Sequence, residues 1–265
     1  AKNMEGQAVG QMFAGLTLAN VLGVPGGAWI GNIFGWNATF IVVAALGAIA
    51  TAAIAIAIPP QGAEEPKSVR SQIGAFRNPQ LLASLLITTL GWVGFMTFYG
   101  YIAPIAEQVA GFERSSLTWI LVIVGLGLVL GNTLGGKTAD KNLSASLIGW
   151  PLAMSAALIV VGLVASQPYL FVAASFVFGV VSFANVPPMQ MRVMKHGGDA
   201  PELAATANIS AFNIANALGG IIGGVVVDST WGPGYIPFAA IIVPAIGLLF
   251  IIWQEWKSPS VSVAA

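Results

Sequence analysis

The sequence predicts an all-α membrane protein with eight transmembrane helices, and three observations carry that reading. Hydrophobic residues make up 57% of the 265-residue chain and charged residues 8%, with a mean hydropathy of +0.84. Soluble domains carry about one-quarter charged residues, so a single water-soluble core does not absorb this composition. The charges sit in short connectors, as they must if each costs at least about 2.5 kcal/mol at bilayer depth. Between the connectors lie six stretches free of Asp, Glu, Lys and Arg: 6–63, 78–106, 115–136, 142–191, 203–227 and 229–254.

A helix crosses the hydrocarbon core in about 20 residues, so the first and fourth stretches each hold two spans. The first span is expected at 8–30 and the second at 38–58, divided by the turn-rich Gly31-Asn32-Ile33-Phe34-Gly35-Trp36-Asn37. The third is expected at 80–106 and the fourth at 115–135. The fifth (143–166) and sixth (168–191) part at Ser166-Gln167-Pro168, and the last two fall at 203–227 and 235–256.

Basic residues are retained in the cytoplasm, which orients the spans. Lys2, Lys67, Arg70, Arg77, Lys137, Lys141, Arg192, Lys195 and Lys257 fall in one set of connectors and Arg114 alone in the other, so both ends are expected in the cytoplasm. The formal net charge of zero is spread over separate loops and leaves no basic patch for nucleic acid. The absence of cysteine excludes disulfides, thiol nucleophiles and thiolate metal sites. The one histidine, His196, sits in Lys195-His196-Gly197-Gly198-Asp199 and reads as a solvated loop residue rather than a ligand. No span holds a deep ionisable residue: Glu107 and Asp228 fall near the external ends.

Ala19-Asn20-Val21-Leu22-Gly23 recurs as Ala215-Asn216-Ala217-Leu218-Gly219, and the same interval aligns the second span with the eighth. A unit of six helices therefore repeats, and with Ala1 in place of an initiator Met the expectation is a longer protein of twelve helices. The expected divisions are 1–59, the last two helices of one bundle; 60–79, a cytoplasmic central loop; 80–257, a complete second bundle; and 258–265, a cytoplasmic tail.

Small residues recur every four positions on the first span (Gly15, Ala19, Gly23, Gly27, Gly31), the fourth (Gly127, Gly131, Gly135) and the seventh (Ala207, Ala211, Ala215, Gly219, Gly223). Each ladder invites close approach by another helix. Static packing and a sliding contact between two bundles both remain open, with Gly127, Ala215, Gly219 and Gly223 the interbundle candidates. Pro25, inside the first ladder, removes a donor and permits a bend. Asn208, Asn213 and Asn216 on the seventh span are expected to bond between helices.

The run from Gly15 to Gly27 resembles the fifth-helix antiporter motif of the major facilitator superfamily, with Val24 set between Gly23 and Pro25. The continuation Trp29-Ile30-Gly31 and Gly35-Trp36 is similar to the arabinose-efflux-like, drug:proton antiporter branch of bacterial inner-membrane exporters. Gly131-Asn132-Thr133-Leu134-Gly135-Gly136-Lys137-Thr138-Ala139-Asp140-Lys141 resembles the second copy of the superfamily's cytoplasmic loop motif, without its Gly-Arg-Arg portion. Asp140 then reads either as part of a capped polar turn or as a partner for a basic side chain or helix N-terminus in one transport state. Val186-Pro187-Pro188-Met189-Gln190-Met191-Arg192-Val193-Met194 looks like the end of the branch's tenth helix, which implies a gating role for Pro187, Pro188 and Arg192. The plainer reading is a helix terminus with Arg192 as an interfacial anchor.

The resemblance implies a truncated major facilitator fold, helices five to twelve of twelve. It also implies that the third and sixth spans line a central cavity. Their candidate contacts are Thr88, Thr89, Trp92, Phe95, Tyr99 and Tyr101 on one, and Phe176, Ser182, Phe183 and Asn185 on the other. Rings with a few hydroxyls suit an uncharged or amphipathic solute. The implied function is proton-coupled efflux of such a solute, drug or sugar-like, by alternating access. The expected partners are the solute, protons and the bilayer, with no cofactor or metal, a monomeric state and a place in the bacterial inner membrane. The coupling carboxylate is expected in helices ahead of Ala1. A passive channel or structural membrane subunit is the alternative. A membrane-embedded enzyme is disfavoured because the spans offer no Cys, no His and no paired carboxylates.

Overall fold

The structure, a computed structural model, describes Gly15 and residues 18–57 and 74–257, and these are helical with no strand among them. The first expected span before Leu18 (Gly15 apart), residues 58 and 59, the 60–73 part of the central loop and the 258–265 tail lie outside the described residues. Helix α1 (Val24–Phe34) follows a π-helical turn at Ala19–Gly23, and Pro25 occupies its first turn. The wider turn absorbs the hydrogen bond that Pro25 cannot donate. Gly35, at φ 84°, reverses the chain into α2 (Trp36–Ala57), a conformation that only glycine takes without strain.

The remaining helices are α3 (Pro79–Tyr99), α4 (Ile102–Gln108), α5 (Leu117–Lys141), α6 (Leu143–Val164), α7 (Pro168–Phe183), α8 (Val186–His196), α9 (Pro201–Asp228) and α10 (Ile236–Lys257). Asn78 caps α3 by accepting from the Gln80 N–H, and Asn142 caps α6 by accepting from the Ala145 N–H. Seven stretches among the described residues are long and apolar enough to cross a membrane: α2, α3 with α4, α5, α6, α7 with α8, α9, and α10.

Two local readings need correction. Residues 136–141 of the Gly131–Lys141 string are not a loop, because α5 stays helical past its expected end at 135 to Lys141 and the turn is confined to Asn142. Nor does the Pro187-Pro188 pair end a helix. Helix α7 has already stopped at Phe183, and the prolines occupy the first turn of α8, where their missing N–H groups go unneeded.

Helices α3 to α10 interlock as two three-helix sets. Helix α3 packs on α9 and α10, α7 packs on α5 and α6, and α6 meets α10. Each set's first helix is thus embraced by the other set's second and third, and both first helices are broken, at Gly100-Tyr101 and Ala184-Asn185. The ladders make the embrace close. Added Cβ atoms on Gly127, Gly131 and Gly135 would strike the backbone of α7 at Phe176, Val180 and Ala184. Those on Gly219 and Gly223 would strike α3 at Val93, Thr97 and the Tyr101 ring. Ala215 is fully buried on the same helix as Gly219. The interbundle assignment of Gly127, Ala215, Gly219 and Gly223 is therefore corrected: they pack between helices that all follow residue 79. On α1, Gly27 and Gly31 instead face Thr39 of α2, whose hydroxyl donates to the Gly27 carbonyl at 3.3 Å.

The third helices α6 and α10 carry buried internal prolines, Pro151 and Pro244. Pro244 leaves the Ala240 carbonyl without its helical donor, and that carbonyl lies against Gly94 of α3. The packing predicts that Gly131→Leu destabilises the bundle by more than about 3 kcal/mol, as a side chain forced into backbone does. Gly149→Ala, which meets nothing within 4 Å, changes stability by less than about 1 kcal/mol. Thermal unfolding in detergent compares the two.

Candidate functional site

Helices α3 and α7 lie deepest: in each of the spans they begin, 67% of the most apolar stretch is buried. Their facing sides are joined by aromatic rings. Phe95 stacks on Trp92 at 4.5 Å and on Tyr99 at 5.0 Å, and reaches Phe183 at 5.5 Å and Phe178 at 6.0 Å. Trp92 meets Phe183 at 5.5 Å and Phe212 of α9 at 5.1 Å, both edge to face. The spacing of Trp92, Phe95 and Tyr99 puts all three on one face of α3. Offset and edge-on pairs of this kind satisfy the ring quadrupoles.

Of the expected cavity residues, Trp92, Phe95, Tyr99 and Phe183 come together, and Thr88 and Ser182 are fully buried on the same two helices. The hydroxyls of Thr88, Tyr99 and Ser182 have no hydrogen-bond partner among the described residues. Asn185 is buried at the α7–α8 break and donates to the Val181 carbonyl at 2.9 Å. Three residues stand apart from the cluster. Tyr101 donates its hydroxyl to the Gly220 carbonyl at 2.7 Å, Thr89 bonds back to Leu85 of its own helix, and Phe176 is half-buried where α7 meets Gly127.

Phe178 and Phe212 complete the cluster and were not singled out from sequence, since their rings have no local signal that separates them from packing aromatics. The asparagines divide. Asn216 accepts from the Trp92 indole N–H at 3.0 Å, and Asn208 donates to Gln190 of α8 at 2.7 Å, both between helices. Asn213 departs from expectation: exposed, it donates to Ile209 of its own helix.

The end of the bundle that carries Arg77, Lys141 and Lys257 holds a polar network. Arg192 and Glu255 form a buried ion pair at 2% and 7% side-chain exposure, joining α8 to α10. The other Glu255 oxygen accepts from the Ser144 hydroxyl of α6 at 2.6 Å. This corrects one expectation, since Arg192 is buried and paired rather than an interfacial anchor; Glu255, in the last turn of α10, is a buried carboxylate that the sequence reading did not single out. His196 is corrected as well. It closes α8 half-buried, with Nδ1 2.9 Å from the Arg192 carbonyl and 3.3 Å from Ser84 Oγ, while its carbonyl accepts from the Asn78 amide at 2.9 Å. Asp140 and Lys141 lie in the last turn of α5, half-buried and exposed respectively. Beside them an open groove of about 410 Å³ separates α5 from α6, lined by Thr138, Lys141, Asn142, Ser146, Gly149 and Trp150. No group of His, Asp and Glu suited to a metal ion occurs among the described residues.

The sequence matches the family described as Major Facilitator Superfamily over residues 1–224. It is 36% identical over 258 residues to the inner membrane transport protein YdhP of Escherichia coli strain K12, covering 97% of this chain and 66% of that protein. It is 26% identical over 244 residues to the putative transporter AraJ of the same organism, covering 89% of this chain and 60% of AraJ. Identity to a chloramphenicol resistance protein of Streptomyces lividans is 28% over 257 residues, 92% of this chain and 64% of the relative. The chain thus spans somewhat less than two-thirds of the length of these relatives.

The Trp92–Asn216 bond gives a direct test of how the cluster is held. Asn216→Leu leaves a buried indole N–H unpaired and lowers stability by about 1–3 kcal/mol. Adding Trp92→Phe recovers about 0.5–1 kcal/mol of that loss, read as the coupling in a double-mutant cycle of thermal unfolding.

Proposed function

The chain belongs to the major facilitator superfamily, and on that premise we propose that it serves a secondary active transporter exporting a small uncharged or amphipathic solute in exchange for protons. The protein resides in the bacterial inner membrane, acts as a monomer and alternates access by rocking two helix bundles about a central site. The observation that carries the reading is the ring cluster between α3 and α7, edged by the unpartnered hydroxyls of Thr88, Tyr99 and Ser182. Buried hydroxyls without partners are costly, and a solute that bonds to them recovers that cost on binding. Rings supply the apolar contact such a solute needs. The relative named a chloramphenicol resistance protein, 28% identical to this chain, adds support.

Pro187 and Pro188 set a joint between α7 and α8, which suits the gating role that the sequence resemblance attaches to them. The full-length protein in proteoliposomes provides the test, with an imposed proton gradient and a panel of antibiotics, sugars and nucleosides. Accumulation of one solute against its gradient supports the proposal, and equilibration that ignores the proton gradient overturns it in favour of a passive pore. A further outcome separates binding from packing. Thr88→Val removes an unpaired hydroxyl without changing shape, so stability stays level or rises by about 1 kcal/mol while transport falls about tenfold. Unfolding and initial export rates measured on the same preparation check both halves.

A further inference from the structure

The hydroxyls beside the ring cluster do not fix the polarity of what binds there. A hydroxyl turns to donate or to accept, so Thr88, Tyr99 and Ser182 suit either kind of group. Asn216 of α9 lacks that freedom. Its Oδ1 accepts from the Trp92 Nε1–H at 3.0 Å, and an indole nitrogen only donates. The amide oxygen is therefore held toward the indole, because a flipped amide sets N–H against N–H. Nδ2, with its two hydrogens, is turned away from Trp92 and makes no hydrogen bond among the described residues. The indole that fixes it belongs to the cluster, meeting Phe95, Phe183 and Phe212, and Phe212 lies one turn before Asn216 on α9.

The position of Asn216 around α9 also keeps it from lipid. Ala215 and Gly219 are buried, and Gly219 lies against the backbone of α3. Of the five exposed large apolar residues on the helix, Ile214, Leu218, Ile221 and Val225 gather on one side, with Ile209 the exception. Helical periodicity puts those four at least about 140° from Asn216, whereas the exposed Asn213 is only about 60° from it. Amides find no partner in hydrocarbon, so such a side turns to the protein interior or to a wet cavity. Asn216, half-buried, thus stands at the open edge of the rings.

We propose that Asn216 is a specificity-determining residue: its Nδ2 donates to a hydrogen-bond acceptor on the solute, such as a carbonyl, ether or nitro oxygen. Trp92 is the positioning residue that holds the amide in this sense. The inference rests on the solute-site reading above and narrows it to uncharged aromatic or amphipathic molecules with an acceptor next to the ring. A solute without that acceptor leaves Nδ2 unpaired at the edge of an apolar cluster, which weakens its binding.

Two aryl glucosides of one shape test this in the purified full-length protein. The 4-acetylphenyl β-glucoside ends in a carbonyl, and the 4-isopropenylphenyl β-glucoside carries a methylene in its place. Equilibrium dialysis in detergent, with empty micelles as the blank, gives both affinities. The parent holds the acetyl compound about fivefold more tightly. Trp92→Phe keeps a ring but frees the amide to turn, and the ratio falls to about two. Trp92→Phe with Asn216→Leu, which leaves no unpaired N–H, brings it to about one. A merely structural role lowers both affinities together and leaves the ratio where it was. Equal binding of the two glucosides by the parent overturns the proposal while a solute site still stands, and so does a parent ratio kept by both variants. Binding of neither glucoside by the parent overturns the proposal together with the solute-site reading.

Discussion

Everything in the bundle depends on how closely helices approach where glycine removes the side chain. In hydrocarbon no apolar force draws one helix to another, so contact must come from backbone packing, dispersion and buried hydrogen bonds. Gly127, Gly131 and Gly135 lay the backbone of α5 on α7, and Gly219 and Gly223 lay α9 on α3. Those two contacts fix where α3 and α7 stand. The space left between them is too wide for backbone contact and is filled by rings, from Phe98 and Phe178 to Trp92 and Phe183.

The same arrangement sorts the polar groups. Within the ring layer, indole and amide pair between helices, as in Trp92 with Asn216, while the hydroxyls of Thr88, Tyr99 and Ser182 have no partner among the described residues. Toward the basic end, Asn78, Ser84, Ser144, Arg192, His196 and Glu255 bind α8 to its neighbours. The interior is therefore graded along the bundle axis, from an apolar layer filled by rings to a charged collar. In a bilayer such a collar persists only if its charges are paired and its lone pairs are filled.

The sequence and the structure agree where a strong penalty governs and part where geometry has two solutions. Charges excluded from hydrocarbon make the spans legible, and the breaks fall at Gly35, whose φ of 84° leaves the helical region, and at Gln167, held extended before Pro168. Helix α5 outruns its expected end at 135 because Gly136 and the polar residues to Lys141 suit a loop as well as a packed helix end, and contact of Gly135 with Ala184 favours the helix. Proline starts helices as readily as it ends them, so Pro187-Pro188 needed the position of Phe183 to be read correctly. A ladder of small residues specifies close approach but not the partner, and only packing assigns Gly127 to α7. Within the candidate site, Trp92, Phe95 and Phe183 were legible as aromatics on two polar-flecked helices. Glu255 was not, since it stands 63 positions from Arg192 with no periodic relation to it.

The mutual embrace of the two three-helix sets also bears on how the chain is made. Tyr101 and Trp92 bond to residues 119 and 124 positions later, so α3 enters the bilayer long before α9 and α10 exist to cover it. Contacts this distant in sequence close late and slowly. Until then the nascent α3 presents a polar-flecked face to lipid or to whatever escorts it, and synthesis interrupted before α10 leaves the collar's arginine buried opposite no carboxylate. The contacts that cover α3 and pair Arg192 therefore form only after α9 and α10 have been made.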